Sequence, residues 1–144
     1  MTGEACSMPT PPPKNQAEVI RRLLAGRRIA VVGLSDDPSR ASNDVTQYLI
    51  RVGKEIVGVN PKHTEVLGQP CYPSLKDVPG SIDVVNVFRR PGFCAEVVRM
   101  AIEIGAKGVW LQSGIRNDEA QKLAAEAGLD FVQDRCIMVE HMHF

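Results

Sequence analysis

The sequence lacks an excess of charge of either sign, because 17 lysine and arginine residues balance 17 aspartate and glutamate residues. No global basic field is therefore present to attract nucleic acid or an anionic membrane surface, and we expect neither as a partner. The chain also lacks any apolar run approaching the roughly 20 residues that a membrane-spanning helix requires. These absences exclude nucleic-acid binding driven by charge and insertion into a membrane through a helix.

A secretory signal and paired cysteines are also missing. The first 15 residues contain Glu4 and four prolines but no apolar segment, so they are not a secretory signal. We expect residues 1–15 to be a flexible, proline-rich tail and residues 16–144 to form a single domain. The cysteines are widely spread and show neither CxxC nor metal-ligand spacing, which is typical of free thiols in a reducing cytoplasm; they are Cys6, Cys71, Cys94 and Cys136.

Apolar, strand-like runs alternate with helix-like segments after the tail. The strands are predicted at 29–33, 55–60, 82–88, 107–112 and 129–132, and the helices at 16–25, 42–52, 91–104 and 117–127. A polar connection at 63–73 has the character of a hairpin, and residues 74–78 have that of a single helical turn. This alternation predicts an α/β fold: a doubly wound, mostly parallel five-stranded sheet with helices on both faces.

In such sheets, ligands bind beyond the carboxyl ends of the strands, which directs attention to five loops. The loops are 33–42, 60–64, 88–91, 112–116 and 133–136. In the first, Gly33 is followed by hydroxyl groups and a guanidinium, a set that suits a phosphate: Ser35, Ser39 and Arg40. A lone glycine also serves many strand-to-helix turns for backbone reasons alone. Asp36 and Asp37 would repel a phosphate unless they turn to solvent.

The second predicted strand ends in Asn60, with Lys62 two residues further on. A dinucleotide-binding unit places an aspartate or glutamate at this point to hold the ribose diol. The sequence therefore disfavours ordinary NAD binding and favours a ligand that carries a phosphate on its ribose. The alternative is a simple strand-ending turn with a solvated lysine.

The third and fourth strands end in further candidate groups. Arg89 and Arg90 directly precede a predicted helix and form either a local anion site or a solvated pair. Trp110, the only tryptophan, is either a core residue or a shelf for a cofactor, and small polar residues follow it: Gln112, Ser113 and Gly114. Because the carboxyl ends of parallel strands share one edge of the sheet, these signals support one another.

The end of the chain holds its only mixture of cysteine and histidine. Cys136 would act as a nucleophile only if a helix N-terminus or a cation lowered its pKa. His141 and His143 lie two residues apart, so an extended strand would put both on one face, beside Glu140, as a conceivable metal site. Terminal histidines usually have no such role, and we expect no metal and no catalytic residue.

Several ordered motifs together resemble one family, the small single-domain CoA-binding proteins, which are similar to the N-terminal CoA-binding domain of the succinyl-CoA synthetase α subunit. The resemblance covers residues 16–140 and rests on Val31-Val32-Gly33-Leu34-Ser35 with Pro38-Ser39-Arg40, Val59-Asn60-Pro61, Leu67-Gly68 with 71–75, 83–89, 105–107 with 109–112, and Asp134-Arg135-Cys136.

The resemblance implies a Rossmann-like fold that binds CoA or acyl-CoA through its ADP part. Phosphates would lie against Gly33, Leu34, Ser35, Ser39 and Arg40, and the adenosine with its 3′-phosphate against Val59, Asn60, Pro61 and Lys62. The remainder of the ligand would lie against Phe88, Arg89, Gln112, Ser113 and Gly114, with the thiol running towards Gln112 or Cys136. The chain ends where a CoA ligase would continue into the domain with its phosphorylated histidine, so ligase chemistry is not expected.

Three functions therefore stay open. The first is a cytoplasmic, non-catalytic CoA or acyl-CoA binding protein that acts as a carrier, a sensor or a module for a protein partner or a second copy of itself. The second is an NADP-linked oxidoreductase or redox sensor, because Lys62 or Arg40 would suit a 2′-phosphate equally well. The third is a thiol enzyme in which Cys136 forms a mixed disulfide with CoA.

Overall fold

Helices and strands alternate through residues 16–144, the part of the chain that the structure, a computed structural model, describes. The predicted tail, residues 1–15, lies outside the described residues. The helices are α1 Gln16–Ala25, α2 Ala41–Arg51, α3 Pro91–Glu103, α4 Asp118–Ala127 and α5 Ile137–His143. The strands are β1 Arg28–Val32, β2 Glu55–Val59, β3 Glu65–Val66, β4 Gln69–Tyr72, β5 Val84–Val87, β6 Gly108–Leu111 and β7 Asp130–Val132, and Leu75–Asp77 form one 3-10 turn.

The sheet has seven strands in the order β3-β4-β2-β1-β5-β6-β7. All neighbouring pairs are parallel except β3 and β4, which form an antiparallel hairpin. The α/β, mostly parallel architecture is therefore confirmed, whereas the expected strand number of five is corrected to seven. The two extra strands come from the connection at 63–73, because β4 pairs with the outer side of β2.

The two faces of the sheet carry separate hydrophobic cores, because alternate residues of each strand point to opposite sides. Ala30 and Val32 face the core that α3 and α4 cover, and Ile29 and Val31 face the core that α1, α2 and α5 cover. Trp110 is fully buried in the second core, where its Nε1 donates to the carbonyl oxygen of Arg135 at 2.8 Å. It is a core residue and not a shelf for a cofactor.

Local signals set the boundaries of the longer helices. Pro91 begins α3, where its missing N–H costs nothing. The side chain of Asn117 accepts from the backbone N–H of Ala120 at 2.7 Å and caps α4, which ends at Gly128 in the left-handed conformation. Within residues 16–144, none of the helices has the length and apolar character needed to cross a membrane.

The end of the chain forms a helix, α5, and not an extended strand. Residues two apart on a helix do not share a face, so His141 and His143 are separated. His141 Nδ1 lies 2.6 Å from the hydroxyl of Tyr48 on α2, and His143 Nδ1 lies 2.7 Å from the carbonyl oxygen of Val139. The described residues contain no group of three histidine, cysteine, aspartate or glutamate side chains placed to hold a metal ion.

Candidate functional site

The strand order reverses between β1 and β5, and the loops after these strands separate at Gly33 and Phe88. Gly33 donates to the carbonyl oxygen of Val59 at 2.9 Å, and Phe88 donates to that of Val32 at the same distance. Gly33 has a φ of +87°, and a Cβ placed on it would lie 2.6 Å from the carbonyl oxygen of Phe88. Only glycine therefore fits at this point of the turn.

A cleft of about 580 Å³ opens above this switch point. Its size is within the range of pockets that enclose a small-molecule ligand, about 300–1,000 Å³. Half of the predicted binding residues line it: Gly33, Ser35, Arg40, Asn60, Lys62, Phe88 and Arg89. The structure therefore brings three separate loops together around one space.

The cleft is strongly cationic although the chain as a whole is neutral. Arg40, Lys62, Arg89 and Arg90 line it, and Asp36 is the only carboxylate among its lining residues. Within the described part of the chain, none of these four cations forms a salt bridge of 4 Å or less. Such a set of uncompensated positive groups favours a ligand with several phosphates.

The loop after β1 is held by hydrogen bonds of its own side chains. The backbone N–H of Ser35 donates to Ser42 Oγ at 3.0 Å, and Asn43 Nδ2 donates to the carbonyl oxygen of Ser35 at 2.8 Å. Ser39 donates to Asp37 through its backbone N–H at 2.9 Å and its hydroxyl at 2.8 Å, and these bonds hold the pKa of Asp37 below its usual value. Ser39 and Asp37 therefore brace the loop and lie outside the lining of the cleft.

Asn60 joins the loops that follow β1 and β2. Its Nδ2 donates to the carbonyl oxygen of Leu34, and its Oδ1 accepts from the backbone N–H of Lys62, both at 2.8 Å. The side chains of Leu34 and Val59 are buried in the core, so only their backbones face this region. Pro61 lies in the turn and is not part of the lining. Asn60 thus fixes the position of Lys62 relative to the turn at Gly33.

The loop after β5 supplies two arginines. The Arg89 guanidinium lies over the ring of Phe93 at 4.4 Å, which restrains a long side chain that is otherwise mobile. Arg90 stands at the N-cap of α3, directly before Pro91. Both arginines line the cleft, so the pair faces a cavity and not open solvent alone.

The loop after β6 contributes less than expected to the cleft. Gln112 is 3% exposed, and its amide is engaged, since Nε2 donates to the carbonyl oxygen of Arg135 and Oε1 accepts from the N–H of Ile137, each at 3.3 Å. Gln112 and Ser113 instead line a smaller cavity of about 110 Å³, here called the side pocket. Gly114 lies in neither cavity and donates to Asp134 Oδ1 at 2.7 Å.

Seven lining residues of the cleft were not among the predicted binding residues, although all of them belong to loops singled out from the sequence: Asp36, Ala41, Ser42, His63, Arg90, Pro91 and Ile115. His63 Nε2 lies 3.6 Å from Asp36 Oδ1, so an acid and an imidazole meet across the cleft. The Asp36 side chain borders the cleft but is 66% exposed, so its carboxylate is largely turned to solvent, as a phosphate site requires.

Comparison with known proteins gives consistent results. The model of a protein family described as a CoA binding domain matches residues 27–142. YneT, an uncharacterized protein of Bacillus subtilis, is 42% identical over 127 residues, which cover 88% of this chain and 94% of YneT. A solved structure, a hypothetical protein from Pyrococcus horikoshii OT3, has a TM-score of 0.85 at 42% identity and covers 96% of this chain and 98% of its own.

A larger relative shares only this region. The alpha subunit of an ADP-forming acetate–CoA ligase II from Pyrococcus furiosus is 27% identical over 128 residues, which are 81% of this chain but 28% of that subunit. The chain thus spans less than a third of the length of the ligase subunit.

Proposed function

The chain belongs to the family of CoA-binding domains, and on that premise we propose that its cleft binds the ADP part of CoA or of an acyl-CoA. The observation that supports this most strongly is the set of four cations, without salt bridges within residues 16–144, around the tight turn at Gly33, where only glycine fits. CoA carries three phosphate groups, a diphosphate and a 3′-phosphate, so its charge complements this set. The N-terminus of α2 adds backbone N–H groups and a favourable dipole beside Arg40.

Each loop that lines the cleft would contact a different part of CoA. Gly33, Ser35 and Arg40 lie where the diphosphate would pass over the turn. Asn60 stands where a diol-binding acid would be in an NAD-binding unit, and Lys62, two residues further on, is the candidate partner of the 3′-phosphate. Asn60 acts on Lys62 indirectly, because its side chain holds the backbone of that residue.

The role that we propose is binding without catalysis, as a cytoplasmic carrier, sensor or module for a partner. The titratable groups that line the cleft, besides the cations, are Asp36 and His63, and they face each other at 3.6 Å. The four cations outnumber this pair, so we assign phosphate binding to the arginines and the lysine. The ligase relative is much longer, so its activity is not carried over to this chain.

Thermal unfolding with CoA, acetyl-CoA, dephospho-CoA, NADP and NAD in parallel tests the proposal. A ligand at 100 times its dissociation constant stabilises the folded state by about 2.7 kcal/mol, which for a domain of this size raises Tm by about 8 °C. We expect stabilisation by CoA and less by dephospho-CoA, which lacks the 3′-phosphate. Stabilisation by NADP without stabilisation by CoA would support the redox alternative, and no shift with any ligand would contradict both.

Two arginine variants, one in the cleft and one on the surface of α3, test where the phosphates bind. Arg89→Ala removes a charge that faces the cleft, and a charge-assisted contact is worth about 1.5–3 kcal/mol, so CoA affinity should fall about tenfold to a hundredfold. Arg99→Ala on α3 removes a charge that pairs with Glu119 at 2.6 Å on the surface and serves as the control. If both variants bind CoA as tightly as the unmodified protein, the phosphates do not lie where we place them.

A further inference from the structure

The side pocket adjoins the cleft. It shares Ala41, Phe88 and Ile115 with the cleft, and Gln112 and Cys136 are among its other lining residues. Since the two cavities have three wall residues in common, the side pocket lies within reach of a flexible arm that leaves the cleft beside Phe88.

The walls of the side pocket differ in chemistry from those of the cleft. Val45, Phe88 and Ile115 give the side pocket apolar walls. None of the four cations of the cleft lines the side pocket. The amide of Gln112 is engaged with the backbone of Arg135 and Ile137, so it is not directed to a charged ligand group. A ligand with phosphates at one end and an apolar thiol at the other is therefore oriented with its phosphates in the cleft and its thiol end in the side pocket.

The side pocket is also small and its inner wall is fixed. Its volume of about 110 Å³ is well below the lower limit of about 300 Å³ that is typical of pockets enclosing drug-sized ligands. Val45 is 4% exposed and belongs to the core of α1, α2 and α5, so this inner wall cannot move without disturbing close packing. A thiol or a short acyl group matches this volume, whereas a long acyl chain exceeds it.

From these observations we infer that the side pocket takes the thiol end of the pantetheine arm, and that the protein selects free CoA or a short acyl-CoA over long-chain acyl-CoA. The inference rests on the proposed function, since it concerns the same ligand. It adds the class of CoA that binds and the residues that set this class, above all Val45 and Cys136.

The alkylation rate of Cys136 tests whether the ligand reaches the side pocket. Cys71 and Cys94 are buried, and burial raises the pKa of each thiol, whereas Cys136 is half-buried at the side pocket. In a Cys6→Ser background, which removes the cysteine outside the described residues, iodoacetamide should therefore alkylate Cys136 first. A further Cys136→Ser change should abolish this fast labelling.

The alkylation rate is measured with CoA and with adenosine 3′-phosphate 5′-diphosphate, which has the same phosphates but no pantetheine arm. At 100 times its dissociation constant a ligand leaves about one protein molecule in a hundred free, so CoA should slow the labelling of Cys136 about a hundredfold. The truncated nucleotide should raise Tm without slowing the labelling. If CoA raises Tm but does not protect Cys136, or if both ligands protect it equally, the inference is wrong and the proposed function survives. If neither ligand raises Tm, the proposed function fails and the inference fails with it.

Acyl length gives an independent readout. We expect acetyl-CoA to bind about as tightly as CoA, and octanoyl-CoA to bind at least about tenfold more weakly because its thioester end is displaced from the apolar pocket. The same protein and the same titration serve for all three ligands. Octanoyl-CoA binding as tight as that of CoA would overturn the proposed selectivity.

Discussion

Replacing Gly33 with alanine tests how the switch point is built. A Cβ at this position would lie 2.6 Å from the carbonyl oxygen of Phe88, and ordinary contact begins at 3.4 Å, so the two loops must separate by 3.4 − 2.6 = 0.8 Å. That shift disturbs the hydrogen bonds from Gly33 to Val59 and from Phe88 to Val32, both 2.9 Å long. The same opening would displace the cations on the two loops from a shared ligand.

Gly53 is a matched control, because it has a similar φ of +92° and no atom lies within 4 Å of the position that a Cβ would take there. Strain in the left-handed region is common to both alanine variants and costs about 1–2 kcal/mol, partly offset by about 0.4–1 kcal/mol from the stiffer unfolded chain. Gly33→Ala adds the loss of a buried hydrogen bond, about 1–3 kcal/mol. We therefore expect Gly33→Ala to destabilise the protein by about 2–4 kcal/mol and Gly53→Ala by about 1 kcal/mol.

Urea unfolding of the two variants measures this difference, and a CoA titration under folding conditions shows its effect on the site. Gly33→Ala should lower CoA affinity, whereas Gly53→Ala should leave it unchanged. Equal stability of the two variants would refute the close approach of Gly33 to Phe88, and unchanged CoA affinity in Gly33→Ala would refute the placement of the ligand at this turn.

Three further predictions concern single side chains. Lys62→Ala should abolish the preference for CoA over dephospho-CoA while Lys76→Ala, which removes a surface partner of Glu103, should not; an unchanged preference in Lys62→Ala would place the 3′-phosphate elsewhere. Asp83 accepts a hydrogen bond from the backbone N–H of Arg28, and this bond, together with Lys107, holds the pKa of Asp83 below the usual value of about 4. The ionised Asp83 therefore stabilises the fold above about pH 4, and this stabilisation is lost as the pH falls further. Asp83→Asn should therefore lower stability at neutral pH and flatten its decline in acid, and an unaltered pH profile of unfolding would contradict this. Tyr48→Phe removes the bond to His141 and should cost about 0.5–1.5 kcal/mol of stability in urea unfolding, with no loss if that bond is not formed in solution.

The alternation of apolar and amphipathic segments was sufficient to predict the central parallel sheet, because each of its strands is buried on both faces. The hairpin of β3 and β4 was predicted only as a polar connection, since strands of two and four residues carry too little apolar pattern to be assigned. Helix α5 could not be predicted, because its N-cap Cys136 makes no side-chain capping bond and the helix is only seven residues long. Packing of Ile137 and the contact with Tyr48 hold it, and neither is visible in the local sequence.

At the site, the loops were easier to predict than the direction of their side chains. Arg40, Lys62 and Arg89 line one cleft, because strand ends alone determine their place. Gln112 turns inwards to bond the chain before α5, and this could not be expected while α5 itself was unknown. Ser42 and Asn43, which brace the first loop, had no signal that separates them from ordinary polar residues of a helix N-terminus.

The outermost strands of the sheet, Glu65–Val66 and Asp130–Val132, are two and three residues long. An edge strand offers unpaired N–H and C=O groups to any other extended chain, and the number of groups offered grows with its length. These two edges offer very few, so a second molecule gains little by continuing the sheet. The sheet thus resists strand-by-strand growth into larger aggregates.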